Sequence, residues 1–180
     1  MAPLAPLLSL DPASTKIGWA LLNPGPAYLN SGVCLIPKVA AEERVPYVGD
    51  TVTQIICQCR PASVLIEVPD FIAQWAKPHI VWFFRAVGVA EYVAHQHRLP
   101  IYRVNASTDN DKHRKTNGIA FFRQITGRPP LQDDESDALV NGWKFLTQFP
   151  PPLVVPASCP QTHADSNDWG EDQEEDPDAY

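Results

Sequence analysis

The chain has 180 residues, 44% of them hydrophobic, and a formal charge of -7. That length suits one domain able to bury a core without disulfides. Eight of the 21 acidic residues fall after position 150, where there is no Lys or Arg, so the first 150 residues are near neutral and the acidic balance does not exclude a nucleic-acid partner.

Leu7 to Leu10 reads as a short buried strand that ends by delivering Asp11. A tight Asp11–Thr15 turn leads into a second strand, Ile17 to Leu22, and Asn23-Pro24-Gly25-Pro26 breaks the chain before a third, Leu29 to Ile36. Three strands with short connections predict an antiparallel meander. From Ala40 to Arg60, Val45, Val48, Val52, Ile55 and Ile56 recur at helical spacing. Ser63 to Glu67, S-V-L-I-E, is a fourth strand, reached by a parallel crossover. A long helix from Ile80 to Arg98 follows, then a fifth strand, Ile101 to Val104. Asn105 to Lys115 is polar and charged, Thr116 to Ile125 is helical, and a last helix runs from Asp133 to Phe149 before three prolines. The order predicts an α/β protein with one sheet flanked by helices. Residues 1–150 form the domain, and residues 151–180 an acidic tail disordered by composition.

The first eleven residues lack a basic region and contain two prolines, so no secretory signal is expected. No apolar run is long enough to span a membrane. A soluble, intracellular protein is expected, of the cytoplasm or nucleoid, or of the host cytoplasm if the source is viral. Cys34, Cys57, Cys59 and Cys159 are scattered. Zinc binding by Cys57, Cys59, His95 and His97 lacks the usual ligand spacing, and reduced, buried thiols fit better.

Three acidic features sit at element ends. Asp11 closes strand one, Glu67 closes strand four, and Asp133, Asp134 and Asp137 open the last helix. Each has a plain structural account. Asp before Pro is good turn chemistry, Glu67 could face solvent, and acids favour a helix N-terminus. If strands one and four are parallel neighbours, however, Asp11 and Glu67 share a sheet edge, and Asp134 and Asp137 share a helix face. Four carboxylates together repel unless cations hold them, and an all-oxygen set suits Mg²⁺ or Mn²⁺. Two such ions roughly 4 Å apart can hydrolyse a phosphodiester.

These residues resemble the RuvC-like Holliday junction resolvases of the ribonuclease H-like superfamily. The matching pieces are the L-D-P-x-x-x-x-x-G-W hairpin at Leu10 to Trp19, Ile66-Glu67, and D-x-x-D-A-L at Asp134 to Leu139. R-A-V-G-V-A from Arg85 and L-P-I-Y from Leu99 look like the family's long helix and fifth strand. The resemblance covers residues 7 to 148. It implies a ribonuclease H-like, five-stranded mixed sheet with strands one, four and five parallel, and a homodimer that makes paired symmetric nicks in a four-way DNA junction. It also implies that Asp11, Glu67, Asp134 and Asp137 are the catalytic, metal-binding carboxylates, with Asp133 a rival for one place. Ala13 stands where the family usually has Gly. The same residue argues against the related sugar-kinase and actin-like ATPases, whose D-x-G turn wraps phosphate.

Lys112, His113, Arg114 and Lys115 form a basic cluster, with Arg123 and Arg128 beyond, suited to backbone phosphates or to a solvated loop. Lys112 or Lys115 could also polarise the scissile phosphate. Phe71 lies where the family places an aromatic that stacks on bases at the junction, with Trp75 a second candidate; either ring could equally belong to the core. Trp82, Phe83 and Phe84 cover several helix faces, which suits a dimer. The acidic tail reads as a solubility segment, a partner-binding segment, or a brake on the basic groove. Two other functions remain open. One is a nuclease for flaps, forks or RNA–DNA hybrids, and the other a non-catalytic DNA-binding protein on the same fold.

Overall fold

The structure, a computed structural model, describes residues 6–40, 43–68, 80–105 and 112–148, with side chains at 80 and 112–115 left undescribed. Phe71, Trp75, Cys159 and the acidic tail therefore lie outside the described residues. Lys112, His113, Arg114 and Lys115 are placed by their backbone alone.

The elements are β1 (Leu7–Pro12), β2 (Lys16–Asn23), β3 (Ala27–Leu35), α1 (Arg44–Cys59), β4 (Ser63–Val68), α2 (Ile80–Gln96), β5 (Ile101–Asn105), α3 (Lys112–Thr126) and α4 (Asp133–Gln148). They form one five-stranded sheet in the order β3-β2-β1-β4-β5. β1 to β3 pair as the antiparallel meander expected, and β1–β4 and β4–β5 are parallel. β3 and β4 thus point the same way, so α1 is a crossover.

β1 and β4 sit in the middle of the sheet and are covered on both faces, which is why L-L-S-L and S-V-L-I are almost continuously apolar. Leu8, Leu10, Val64 and Ile66 face α1 and α2, where Val52, Ile55 and Ala90 meet them. Leu7 and Leu65 face the opposite way, towards Phe122 of α3 and Ala138, Leu139 and Leu146 of α4. Each fully buried leucine contributes about 1.5–3 kcal/mol. Among the described residues, no helix is long and apolar enough to cross a membrane.

Several boundaries differ from the sequence reading; α1 starts at Arg44 and not at Ala40, and α2 ends at Gln96 and not at Arg98. β3 starts at Ala27, because an irregularity between Leu21 and Leu22 lets Tyr28 pair with Leu22. α3 starts at Lys112 and not at Thr116. Apolar periodicity cannot mark a turn made of K-H-R-K, although Lys and Arg are good helix formers. The thiols were also expected to be buried, but Cys57 is exposed and Cys34 and Cys59 are only partly covered. Burial, then the neighbouring Cys34, pushes the Cys59 thiol up.

Candidate active site

The parallel ladder between β1 and β4 runs to Leu10↔Ile66, so the next residues, Asp11 and Glu67, leave the sheet at one edge. On its other side Asp11 pairs with Gly18 of β2. That glycine is where α4 arrives. A Cβ at Gly18 would overlap the backbone carbonyl and the Cβ of Asp134. The missing side chain lets the helix N-terminus lie on the hairpin, which sets Asp134 beside Asp11.

One turn along α4, Asp137 shares the face of Asp134, with Oδ1 4.0 Å from where a Cβ would stand on Gly118 of α3. A further turn on, Asn141 donates from Nδ2 to Oε2 of Glu67 at 2.6 Å. Glu67 is 7% exposed, and this bond orients its buried carboxylate. Near the helix middle, Gly142 allows the same close approach, because a Cβ there would strike Leu22 and Ser9.

The electrostatics record the convergence. Burial first, then the charges of Glu67, Asp134 and Asp137, pushes the Asp11 carboxyl well above its usual range, with Lys16 opposing. Asp133 is absent from those influences. Its side chain is 40% exposed against 14% for Asp134, and its Oδ1 accepts a hydrogen bond from Lys16 Nζ at 3.1 Å. The geometry therefore favours Asp134 over Asp133 as the inward acid. Burial also raises the Asp134 carboxyl, while its ion pair with the Lys16 ammonium works to lower it.

Among the described residues, no three His, Cys, Asp or Glu side chains form a ready-made metal cage. The donor set still fits one kind of ion. Crowded, partly dehydrated carboxylates with no sulfur or imidazole among them favour a hard divalent cation over their own mutual repulsion. Asp11, Glu67, Asp134 and Asp137 could hold it.

The basic residues divide. The backbone of Lys112 to Lys115 forms the first turn of α3, and Gly118, one turn further, is the residue beside Asp137. Arg123 is exposed in the last turn, roughly 16 Å along the axis from Lys112. Arg128, grouped with the phosphate contacts from sequence, is committed elsewhere. Its guanidinium bonds both oxygens of Glu135, Nη2 to Oε1 at 2.5 Å and Nη1 to Oε2 at 3.2 Å.

Sequence reading had Gly18 in the hairpin motif without a role, and it missed Lys16, Asn141 and the Arg128–Glu135 pair. Only Asn141 left a usable trace, since it lies seven residues after Asp134 and four after Asp137, on the same helix face.

No protein-family model matches the chain. Over 70 residues, 37% of its length, it is 36% identical to the crossover junction endodeoxyribonuclease RuvC of Hydrogenovibrio crunogenus. That match spans 41% of the relative, about two fifths of its length. Two solved structures of Thermus thermophilus RuvC, one in complex with Holliday junction substrate, are similar at TM-scores of 0.59 and 0.58 with 20% identity. Each likeness covers 79% of this chain, and 92% and 93% of the respective solved chain. The yeast mitochondrial Holliday junction resolvase Ydc2 reaches 0.50 at 11% identity, over 82% of this chain and 83% of its own. The ribonuclease H-like fold expected from sequence is thus the fold observed.

Proposed function

We propose that this chain is a Holliday junction resolvase, a metal-dependent endodeoxyribonuclease that nicks four-way DNA junctions in symmetric pairs. The observation that carries the reading is the convergence of Asp11, Glu67, Asp134 and Asp137 at one sheet edge, on the fold of RuvC.

In this reading the four carboxylates hold Mg²⁺, or Mn²⁺ in its place, as two ions per site. The bound ions supply Lewis acidity that generates the nucleophile and neutralises charge building on the phosphodiester. The chain's own residues set the geometry. Gly18 admits α4, Asn141 holds Glu67, and Lys16 balances charge at Asp134 and Asp133. Cleavage leaves 5′-phosphate and 3′-hydroxyl ends.

DNA meets the first turn of α3. Four basic residues in sequence there oppose the positive end of the helix dipole, with no acidic residue in the turn to relieve them. A phosphate backbone satisfies both the side chains and the dipole. Lys112, Arg114 and Lys115 are the assigned contacts, with Phe71 stacking on bases and Arg123 a further contact at the other end of the helix. Residues 1–150 are the nuclease unit, acting in the cytoplasm or nucleoid, and residues 151–180 an appended acidic segment.

A junction with two equivalent strands calls for two equivalent sites, and α2 supports a dimer. Val81, Arg85, Gly88 and Tyr92 form one exposed stripe along it, with Val81 51% and Tyr92 63% exposed. The test is cleavage of a synthetic four-way junction beside linear duplex, flap and RNA–DNA hybrid, with Mg²⁺, Mn²⁺ or chelator. Metal-dependent paired nicks in the junction alone are expected. Cutting of the hybrid or flap would keep the chemistry and replace the substrate, and junction binding without cleavage would make the chain a non-catalytic binder.

A further inference from the structure

Glu135 sits between two of the site's carboxylates and takes no part in their cluster. Its side chain is 0% exposed, and it collects donors from three places. Ser31 Oγ on β3 donates to Oε1 at 2.7 Å, the Leu131 backbone N–H to Oε2 at 2.6 Å, and Arg128 grips both oxygens. Arg128 also donates to Ser31 Oγ at 3.1 Å, and its guanidinium lies 5.1 Å from the ring centre of Phe122 on α3. The pair therefore ties β3, α3 and the loop before α4 to a single residue of α4.

We infer that the Arg128–Glu135 pair is a rotational latch: it fixes the turn of α4 about its own axis, and so positions Asp134 and Asp137 for metal binding. This rests on the nuclease reading above. Glu135 lies about 100° round the helix from Asp134, so a hold on one is a hold on the angle of the other. Asp134, Asp137 and Asn141 occupy the rim-facing side, while Glu135 and Gly142 occupy the side that docks on the sheet. Gly142 fixes how closely α4 approaches, but a glycine contact does not resist rotation. A swing of roughly 20° would carry a carboxylate about 6 Å off the axis sideways by about 2 Å, more than ion coordination tolerates.

A bare hydrophobic seam would stabilise α4 without fixing this angle. A bidentate guanidinium–carboxylate pair has directions built into it. Ser31 and the Leu131 N–H fill remaining acceptor sites on the carboxylate, so Glu135 has few other places to turn. Arg128 and Glu135 are accordingly positioning residues.

The test uses the full chain as Arg128→Ala, Arg128→Lys and Ser31→Ala, with Leu146→Ala as a control that loosens the far end of α4. Three quantities are read at a temperature where each variant is folded. These are Mn²⁺ affinity by the signal of the free ion, amide exchange along α4, and kcat and KM on a four-way junction. A latch predicts exchange that quickens selectively in the first two turns of α4 and Mn²⁺ binding weakened about tenfold or more in Arg128→Ala. It also predicts a fall in kcat with little change in KM, a smaller loss in Ser31→Ala, and partial recovery in Arg128→Lys. Leu146→Ala should leave Mn²⁺ affinity alone. Exchange rising evenly along the helix in Arg128→Ala, with Mn²⁺ affinity and kcat as in the control, would overturn the latch. If the wild-type chain binds no Mn²⁺ and cuts no junction, the nuclease reading falls instead. The exchange pattern then decides the latch alone, local quickening upholding it and even quickening removing it.

Discussion

Asp11 is held at a cost to the fold. Its carboxyl is raised by burial and by three neighbouring acids, so its contribution to stability is fully present only below its unfolded pKa of about 4. That contribution is lost as pH rises through the folded value. Glu135 behaves oppositely. Burial works to raise it, but Arg128, the Leu131 N–H and Ser31 outweigh burial and lower it. Its stabilisation is present above the unfolded pKa and lost as pH falls through the depressed one. Asp11→Asn should therefore abolish junction cleavage while raising the metal-free Tm at neutral pH by about 2–4 °C, the shift that about 1 kcal/mol gives in a domain of this size. The same variant should lose the rise in Tm that Mn²⁺ gives the wild type by mass action. Thermal scans with and without Mn²⁺ at two pH values check both. A Tm unchanged at neutral pH would mean that Asp11 is not strained by its neighbours.

Asn141 acts through Glu67 and belongs at the same scale. Asn141→Ala removes the 2.6 Å bond that orients a buried carboxylate. Junction kcat should fall about 10- to 100-fold, as it does for groups that hold a metal ligand, with KM nearly unchanged. Steady-state kinetics separate the two constants. A KM effect without a kcat effect would place Asn141 among the DNA contacts.

Among the elements, legibility followed burial. β1 and β4 were readable because a strand covered on both faces leaves a compact apolar run, and each run ends in an acid. α4 was readable as a helix from its prolines and its apolar positions. Its chemistry was only half readable, since D-D-E-S-D is also good N-terminal helix composition. Glu135 carries no sequence mark separating it from its neighbours. Its partners Ser31 and Arg128 are 104 and seven residues away, and only the folded sheet brings them together. Gly18 was legible as part of the hairpin motif but its role was not, because the reason for a glycine there is a helix more than a hundred residues later.

α3 makes a prediction as an element. If its first turn meets phosphate, Lys112→Ala, Arg114→Ala and Lys115→Ala should each reduce the slope of log K against log salt by about 0.9. The effect should be nearly the same for junction and duplex, because backbone contacts carry no shape information. Arg123→Ala should change the slope less. Fluorescence anisotropy across a salt series measures this, and an unaltered slope in all three variants would move the DNA elsewhere.

The whole molecule presents α2's stripe to whatever meets that side. Tyr92→Glu puts a charge at the C-terminal end of it and should convert a dimer to monomers in sedimentation, with no loss of folded structure. A monomer should nick junctions singly, and intact linear products should give way to nicked ones. If the variant sediments like the wild type, the pairing surface is another one.

The two apolar layers lie on either side of the sheet, and β1, β2 and β4 each send side chains into both. One layer seats α3 and α4, the second of which carries Asp134 and Asp137; the other seats α2, the helix proposed to meet a second copy. The sheet is thus a bulkhead. If two copies pair through α2, substitutions that tune that pairing fall on the opposite face of the sheet from Asp134 and Asp137. A chain built this way can change the company it keeps faster than it changes its chemistry.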